Sequence, residues 1–242
     1  MLKFLLGFIA SSILISLVAV VGVLTWLGLT PLSKYFGSGQ IDLGIKVTAA
    51  QTQAAINKVG TEIISLPSNT APEQGFKLEG TRPATFTMDS QEISAHSNNR
   101  PWKNYPLKNV QIKIHEDGTI ESSAVLIITK AMPYAMGLGY TEAQIKAAMQ
   151  KYQLPPFEVP IYILGKGSVV DDQTSVKAAQ LKIGGIQVPS DIVTQLNDAA
   201  EVVLDDLIKK NSQSFQCESL AFAKGKMDFK GSVAQKQYVV AN

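Results

Sequence analysis

Apolar positions are distributed along this chain in two regimes. From Phe4 to Leu29 there is no charged residue at all. Beyond that run, apolar residues recur with the periods of helices and strands. At about 1.5 Å per residue, Phe4 to Leu29 would form a helix of roughly 39 Å. That exceeds a hydrocarbon core of about 30 Å, so the run can span a bilayer with some tilt. A cleaved signal peptide would have a shorter apolar region ending at small residues. Gly28-Leu29-Thr30-Pro31 does not offer such a site. The expectation is an uncleaved anchor with Lys3 on the cytoplasmic side and the folded part extracytoplasmic.

The strongest helical period lies after Pro189. On a wheel of about 100° per residue, Ile192, Leu196, Ala199, Ala200, Val203, Leu204 and Leu207 share an arc of roughly 140°. Asp198, Glu201, Asp205 and Lys209 fall opposite and read as a solvated face. Lys209 and Lys210 suit the carbonyl end of the helix dipole. Further helices are expected at Ala49 to Val59, capped by Thr48-Ala49-Ala50-Gln51 and stopped by Gly60. A short helix should begin at Thr87-Met88-Asp89 and run through Ile93 to His96. Another should follow Thr141-Glu142-Ala143-Gln144 and reach about Tyr152.

Strands follow from period two. Val110, Ile112 and Ile114 alternate with polar residues, Asp117-Gly118 makes a turn, and Ile120 to Ile128 continues the alternation. Val159 to Leu164 and Ser168 to Val170 read as a hairpin around Gly165-Lys166-Gly167. Thr174 to Ile183 is a strand, and Phe215 to Phe222 with Lys226 to Val233 is a hairpin around Lys224-Gly225. Thr81 to Phe86 is a strand weakened by Pro83. Pro67 to Gly75 reads as a surface linker, and the tail from Gln235 as frayed. A helix followed by a glycine-turned hairpin occurs at Thr87–Ile128 and again at Pro189–Val233, a weak internal repeat. The expected organisation is a stub (1–3), a membrane span (4–29), a juxtamembrane helix and linker (30–80), an extracytoplasmic α+β domain (81–234) and a tail (235–242).

Composition changes this picture little. The net charge of +2 is too balanced for a nucleic-acid binder. A single cysteine, Cys217, excludes an intrachain disulfide and reads as a small buried hydrophobe. Candidate chemistry is sparse. His115-Glu116-Asp117-Gly118 sits on a hairpin tip, where adjacent side chains do not converge on one ion. Asp171-Asp172 lacks the alternating oxygens of a calcium loop. No serine stands in a G-x-S-x-G setting. No catalytic motif, metal site or cofactor motif is found. Met132-Pro133-Tyr134-Ala135-Met136-Gly137-Leu138-Gly139 reads as an apolar, glycine-broken connection, either a loop packed over the core or, functionally, the rim of an apolar groove or a contact with the bilayer.

Four stretches carry a family resemblance. They are Asp42-Leu43-Gly44-Ile45-Lys46; Phe86-Thr87-Met88-Asp89-Ser90-Gln91-Glu92-Ile93; Asn109 to Ile114 with Asp117-Gly118-Thr119-Ile120-Glu121; and Ile161 through Val188-Pro189 to Lys224-Gly225-Lys226. Over about Asp42 to Val233 the chain resembles membrane-anchored bacterial envelope proteins of the YpmS-like kind. These in turn resemble the tubular lipid-binding (TULIP) superfamily. His96-Ser97-Asn98-Asn99 departs from the leucine-rich stretch expected there. The resemblance implies an α+β fold in which a curved antiparallel sheet wraps the long helix and leaves an apolar groove for lipid. Ile192, Leu196, Val203 and Leu207 would then contact lipid, with Met132 and Met136 at the rim. The expected partners are membrane lipid and an envelope protein. The alternative is a tethered, non-enzymatic adaptor that binds a protein and no lipid.

Overall fold

A computed structural model describes residues 39–143, 145 and 158–241, without the side chain of Ala199. The expected span at 4–29 and most of the helix after Thr141 lie outside the described residues. Among the described residues no helix is long and apolar enough to cross a membrane.

The described chain is mixed α+β. It begins with α1 (Ala49–Val59), whose start and stop follow the sequence signals closely. The Thr48 hydroxyl accepts from the Gln51 N–H while the Gln51 side chain accepts from the Thr48 N–H. Gly60 closes the helix with φ of +59°, a conformation in which a side chain would be strained. Three short strands then form a small sheet: β1 (Glu62–Leu66), β2 (Phe76–Glu79) and, from the far end of the chain, β11 (Lys236–Val240). The segment expected to fray is therefore the central strand. It pairs parallel with β1 and antiparallel with β2, and Val239 and Val240 are buried. Ala71 to Gly75, within the expected linker, forms a 3-10 turn between β1 and β2.

The larger sheet contains eight strands. β3 (Arg82–Asp89) is an edge strand, which explains how it tolerates Pro83. The strand continues through Thr87 and Met88, so α2 (Ser90–Asn98) starts later than the sequence suggests. Asp89 caps it and accepts from the N–H groups of Gln91 and Glu92. β4 (Leu107–Ile114) and β5 (Ile120–Ile127) form the expected hairpin, closed by Gly118 at φ +80°. β6 (Glu158–Val170) is one strand of 13 residues. The predicted turn at Gly165-Lys166-Gly167 is absent. Instead the chain reverses at Asp171 and Asp172, with φ of +48° and +64°, into β7 (Gln173–Ile183). β8 (Ile186–Gln187), α4 (Ser190–Lys210), β9 (Gln216–Ala223) and β10 (Lys226–Val233) follow.

β6 is the spine of this sheet. Along one side it pairs with β7. Along the other it pairs first with β5, through Glu158 to Gly165, and then with β9, at Val169 and Val170. The sheet thus branches into two arms, β5–β4 and β9–β10–β3. The hairpin tips of the arms bond to each other, Lys224 N–H to the Glu116 carbonyl and Gly225 N–H to the His115 carbonyl. Gly118 is forced here: a Cβ would stand 2.3 Å from the Phe222 carbonyl oxygen.

Met132 to Gly137 is helical rather than an irregular connection. It belongs to α3 (Ile128–Gly137), which contains Pro133. Proline removes a helical N–H and would ordinarily break such a segment. Burial of Ile128, Ala131 and Tyr134, spaced three apart, offsets that loss. Tyr134 lies against Trp102 (centroids 4.7 Å), and Trp102 stacks on Phe76 (4.9 Å), so α3 is fixed by an aromatic cluster.

Both helices beside the large sheet seal a strand edge in the same way. On α2, Ser90, Ser94 and Asn98 recur every four residues. They bond the backbone of Ile114, Ile112 and Val110, every second residue of β4. On α4, Asn197, Glu201 and Asp205 have the same spacing. They accept from the N–H groups of Ala178, Val176 and Thr174 on β7. The match is geometric. Four helical residues rise about 6.0 Å and two strand residues about 6.6 Å, so a polar side chain meets every free edge amide. In each set the asparagine also donates back, Asn98 to the Val110 carbonyl and Asn197 to the Ala178 carbonyl. Ser94 and Asn98 therefore account for the polar character of α2, and Ser97 turns inward to bond the Ile93 carbonyl. Glu201 and Asp205 leave the solvated face assigned to them, whereas Asp198 and Lys209 are exposed as expected.

Candidate functional site

The site follows from how α4 meets the branched sheet. Its polar triad holds it along β7, which leaves its apolar side facing the junction of β5, β6 and β9. Between them lies a partly open cavity of about 110 Å³. Val193, Leu196 and Leu204 of α4 form one wall. Val176, Ala178 and Leu181 of β7 and Ile163 and Val169 of β6 form another. Ile120 of β5 and Leu220 and Phe222 of β9 close the end beneath the joined hairpin tips.

The floor is glycine. Gly165 and Gly167 stand where two inward side chains of β6 would otherwise fill the space. Register places them opposite Ala178 and Val176, on the face shared with Ile163 and Val169. Neither glycine has positive φ. Gly165 has a structural reason to be glycine: β7 bulges there, and a Cβ would stand 2.7 Å from the Ala178 Cα. Gly167 has none. A Cβ there would lie 3.6 Å from the Ser175 carbonyl oxygen, an ordinary contact. The backbone does not require glycine at 167, and the effect of having one is an open cavity.

Of the residues expected to contact lipid, Leu196 lines this cavity. Ile192 and Leu207 are buried in the core and Val203 is half-buried against it, none of them among the lining residues. Met132 and Met136 are half-buried on α3 and do not contribute to the lining. The wheel grouped the apolar face of α4 correctly but could not say which part of it meets empty space. Gly165 and Gly167 were missed because glycine pairs in a sequence suggest turns. The available signal was the unbroken period-two pattern from Val159 to Val170.

The polar clusters make structural contacts. His115 Nε2 lies 2.6 Å from Glu121 Oε1, and the Tyr162 hydroxyl donates to Glu121 Oε2 at 2.8 Å. Burial, followed by the adjacent Glu121, pushes the Tyr162 hydroxyl up to about 12. This cluster lies on the outer face of the sheet, beside the extended segment whose Ile41 carbonyl accepts from Ser123. Asp172 accepts from the Cys217 N–H, which ties the β6–β7 turn to β9. Among the described residues no group of histidine, cysteine and carboxylate could hold a metal ion.

Cys217 is buried, and burial first, then Asp172 and Glu218, pushes its thiol up to about 12. The thiolate is the reactive species. In native protein at pH 8, iodoacetamide should therefore leave Cys217 unmodified over an hour, with full alkylation only in denaturant. An adduct on native protein, read by intact mass, would contradict this placement.

Neither family models, nor curated proteins, nor solved structures yield a match to this chain.

Proposed function

We propose that the protein binds the apolar end of a lipid or similar amphiphile in the cavity between α4 and β6. The domain would be held at the extracytoplasmic side of a membrane by the apolar run 4–29, with the curved sheet and long helix in a TULIP-like arrangement. The observation that carries this reading is the glycine floor. An apolar cavity sits under an amphipathic helix, and Gly167 leaves it open without a backbone reason to be glycine.

Size limits what can enter. Apolar protein cavities of about 150 Å³ take up a single benzene. A space of about 110 Å³ therefore suits one ring or the last few carbons of a chain. At about 0.8 kcal/mol per buried methylene, four carbons contribute roughly 3 kcal/mol. That is close to millimolar affinity on its own. Tighter binding requires the rest of the amphiphile to remain in the bilayer or to lie along α4. The role is therefore to grip a chain end presented by the membrane rather than to enclose a whole lipid.

Native mass spectrometry of the full-length chain, with solvent extraction of what copurifies, tests this. The expected result is a discrete apolar adduct on the wild-type protein that is absent from Gly167→Val. Equal lipid content in the two proteins, or none in either, would overturn the reading.

A further inference from the structure

One polar side chain lining the cavity makes no hydrogen bond among the described residues. Ser122 is on the inward face of β5, in register with Ile163 of β6, and its row continues to Ile112 and Leu181. It is 8% exposed and lines the cavity, and its hydroxyl makes no hydrogen bond among the described residues and is open to the cavity space. The other polar lining residues are engaged or face away. Asn197 exchanges two hydrogen bonds with Ala178. Ser168 and Ser175 pair across β6 and β7 at the positions alternating with Gly167 and Val176, so they point to the outer face. Lys166 shares that outer face and donates to the Asp117 carbonyl.

Only what occupies the cavity can therefore bond this hydroxyl. Water entering the partly open cavity serves, but a purely apolar occupant displaces that water and leaves the hydroxyl unpaired. Alanine or valine would pack better against Ile112, Ile163 and Leu181. The hydroxyl therefore needs a partner that arrives with the ligand. We propose that Ser122 hydrogen-bonds an oxygen on the ligand, so that the group entering the cavity is hydrocarbon bearing a hydroxyl or carbonyl, such as a phenol-like ring or an oxygenated chain end. This rests on the ligand-binding role proposed above and adds the chemical class of what is bound.

Two probes of matching size separate the two ideas. Para-cresol and toluene differ by one hydroxyl, and each offers a single ring to the partly open cavity. Their binding to the full-length chain in lipid nanodiscs is measured by equilibrium dialysis for wild type, Ser122→Ala and Gly167→Val. The Gly167→Val protein reports probe dissolved in the bilayer, and the excess in wild type is the cavity-bound fraction. A neutral hydrogen bond corresponds to about a fivefold affinity difference. Ser122→Ala should weaken para-cresol about fivefold and leave toluene within twofold, and retained toluene binding shows that the fold is intact. If Ser122→Ala leaves para-cresol unchanged while toluene still shows the excess, the role of Ser122 is refuted and the cavity reading stands. If neither probe shows an excess over Gly167→Val, the cavity reading falls and takes this inference with it.

Discussion

Asn197→Ala should lower the unfolding free energy by about 2 kcal/mol, whereas Asp198→Ala next to it should change it by less than about 0.5 kcal/mol. Both residues are polar and are neighbours on the same helix. They differ in what they touch. The Asn197 side chain satisfies both the N–H and the carbonyl of Ala178, at 3.0 and 3.2 Å. Removing it leaves two half-buried backbone groups without partners, and an unsatisfied group costs more than a bond contributes. Asp198 is exposed and appears in no such contact. Urea denaturation of the two variants reads the difference directly. Equal midpoints would mean that α4 does not seal the β7 edge.

The same geometry predicts a change of assembly. With Asn197, Glu201 and Asp205 all replaced by alanine, β7 presents three free amides along an edge. Free edges pair with other chains. Size-exclusion chromatography of the triple variant should therefore show self-association beyond that of the wild-type protein.

Gly167→Val should do the opposite for stability while removing function. Valine suits a strand through its restricted χ1 and β propensity. Its side chain would enter the cavity from the floor, where a Cβ meets ordinary contact distances. Filling an apolar void and relieving the chain entropy of glycine together contribute about 1–2 kcal/mol. For a chain of this length that corresponds to roughly 4 °C in Tm. A higher Tm combined with loss of ligand binding is the expected signature. A fall of more than about 1 kcal/mol would show that the space is not open in solution. At Gly165 the same change should be disruptive, because a Cβ there would meet the backbone of Lys177 and Ala178 at 2.6 to 2.7 Å.

These contrasts show where sequence patterns suffice and where they do not. Local signals were legible when their physics is local. Thr48 and Gln51 cap α1, Asp117-Gly118 and Lys224-Gly225 turn their hairpins, and the apolar arc of α4 faces inward. Features set by tertiary partners were not. Asp171-Asp172 turns the chain instead of Gly165-Lys166-Gly167 because β9 bonds that turn: the Asp171 N–H donates to the Glu218 carbonyl, the Asp172 N–H donates to the Cys217 carbonyl, and the Asp172 carboxylate accepts from the Cys217 N–H. Lys236 to Val240 read as a frayed tail because its pairing partners, β1 and β2, lie some 160 residues earlier. Glu201 and Asp205 looked solvated because an edge amide leaves no mark on a helical wheel. The cavity was the least legible feature, since an absence of side chains at 165 and 167 becomes informative only once the strand direction is known.

The central claim is that the space between α4 and β6 accepts an apolar ligand, and anomalous diffraction tests it most directly. Crystals of the protein soaked in bromobenzene should show a bromine peak between Leu196 and Gly167, lost in crystals of Gly167→Val. A wild-type crystal with Leu196 packed directly against Gly167 and no bromine peak there would contradict the account.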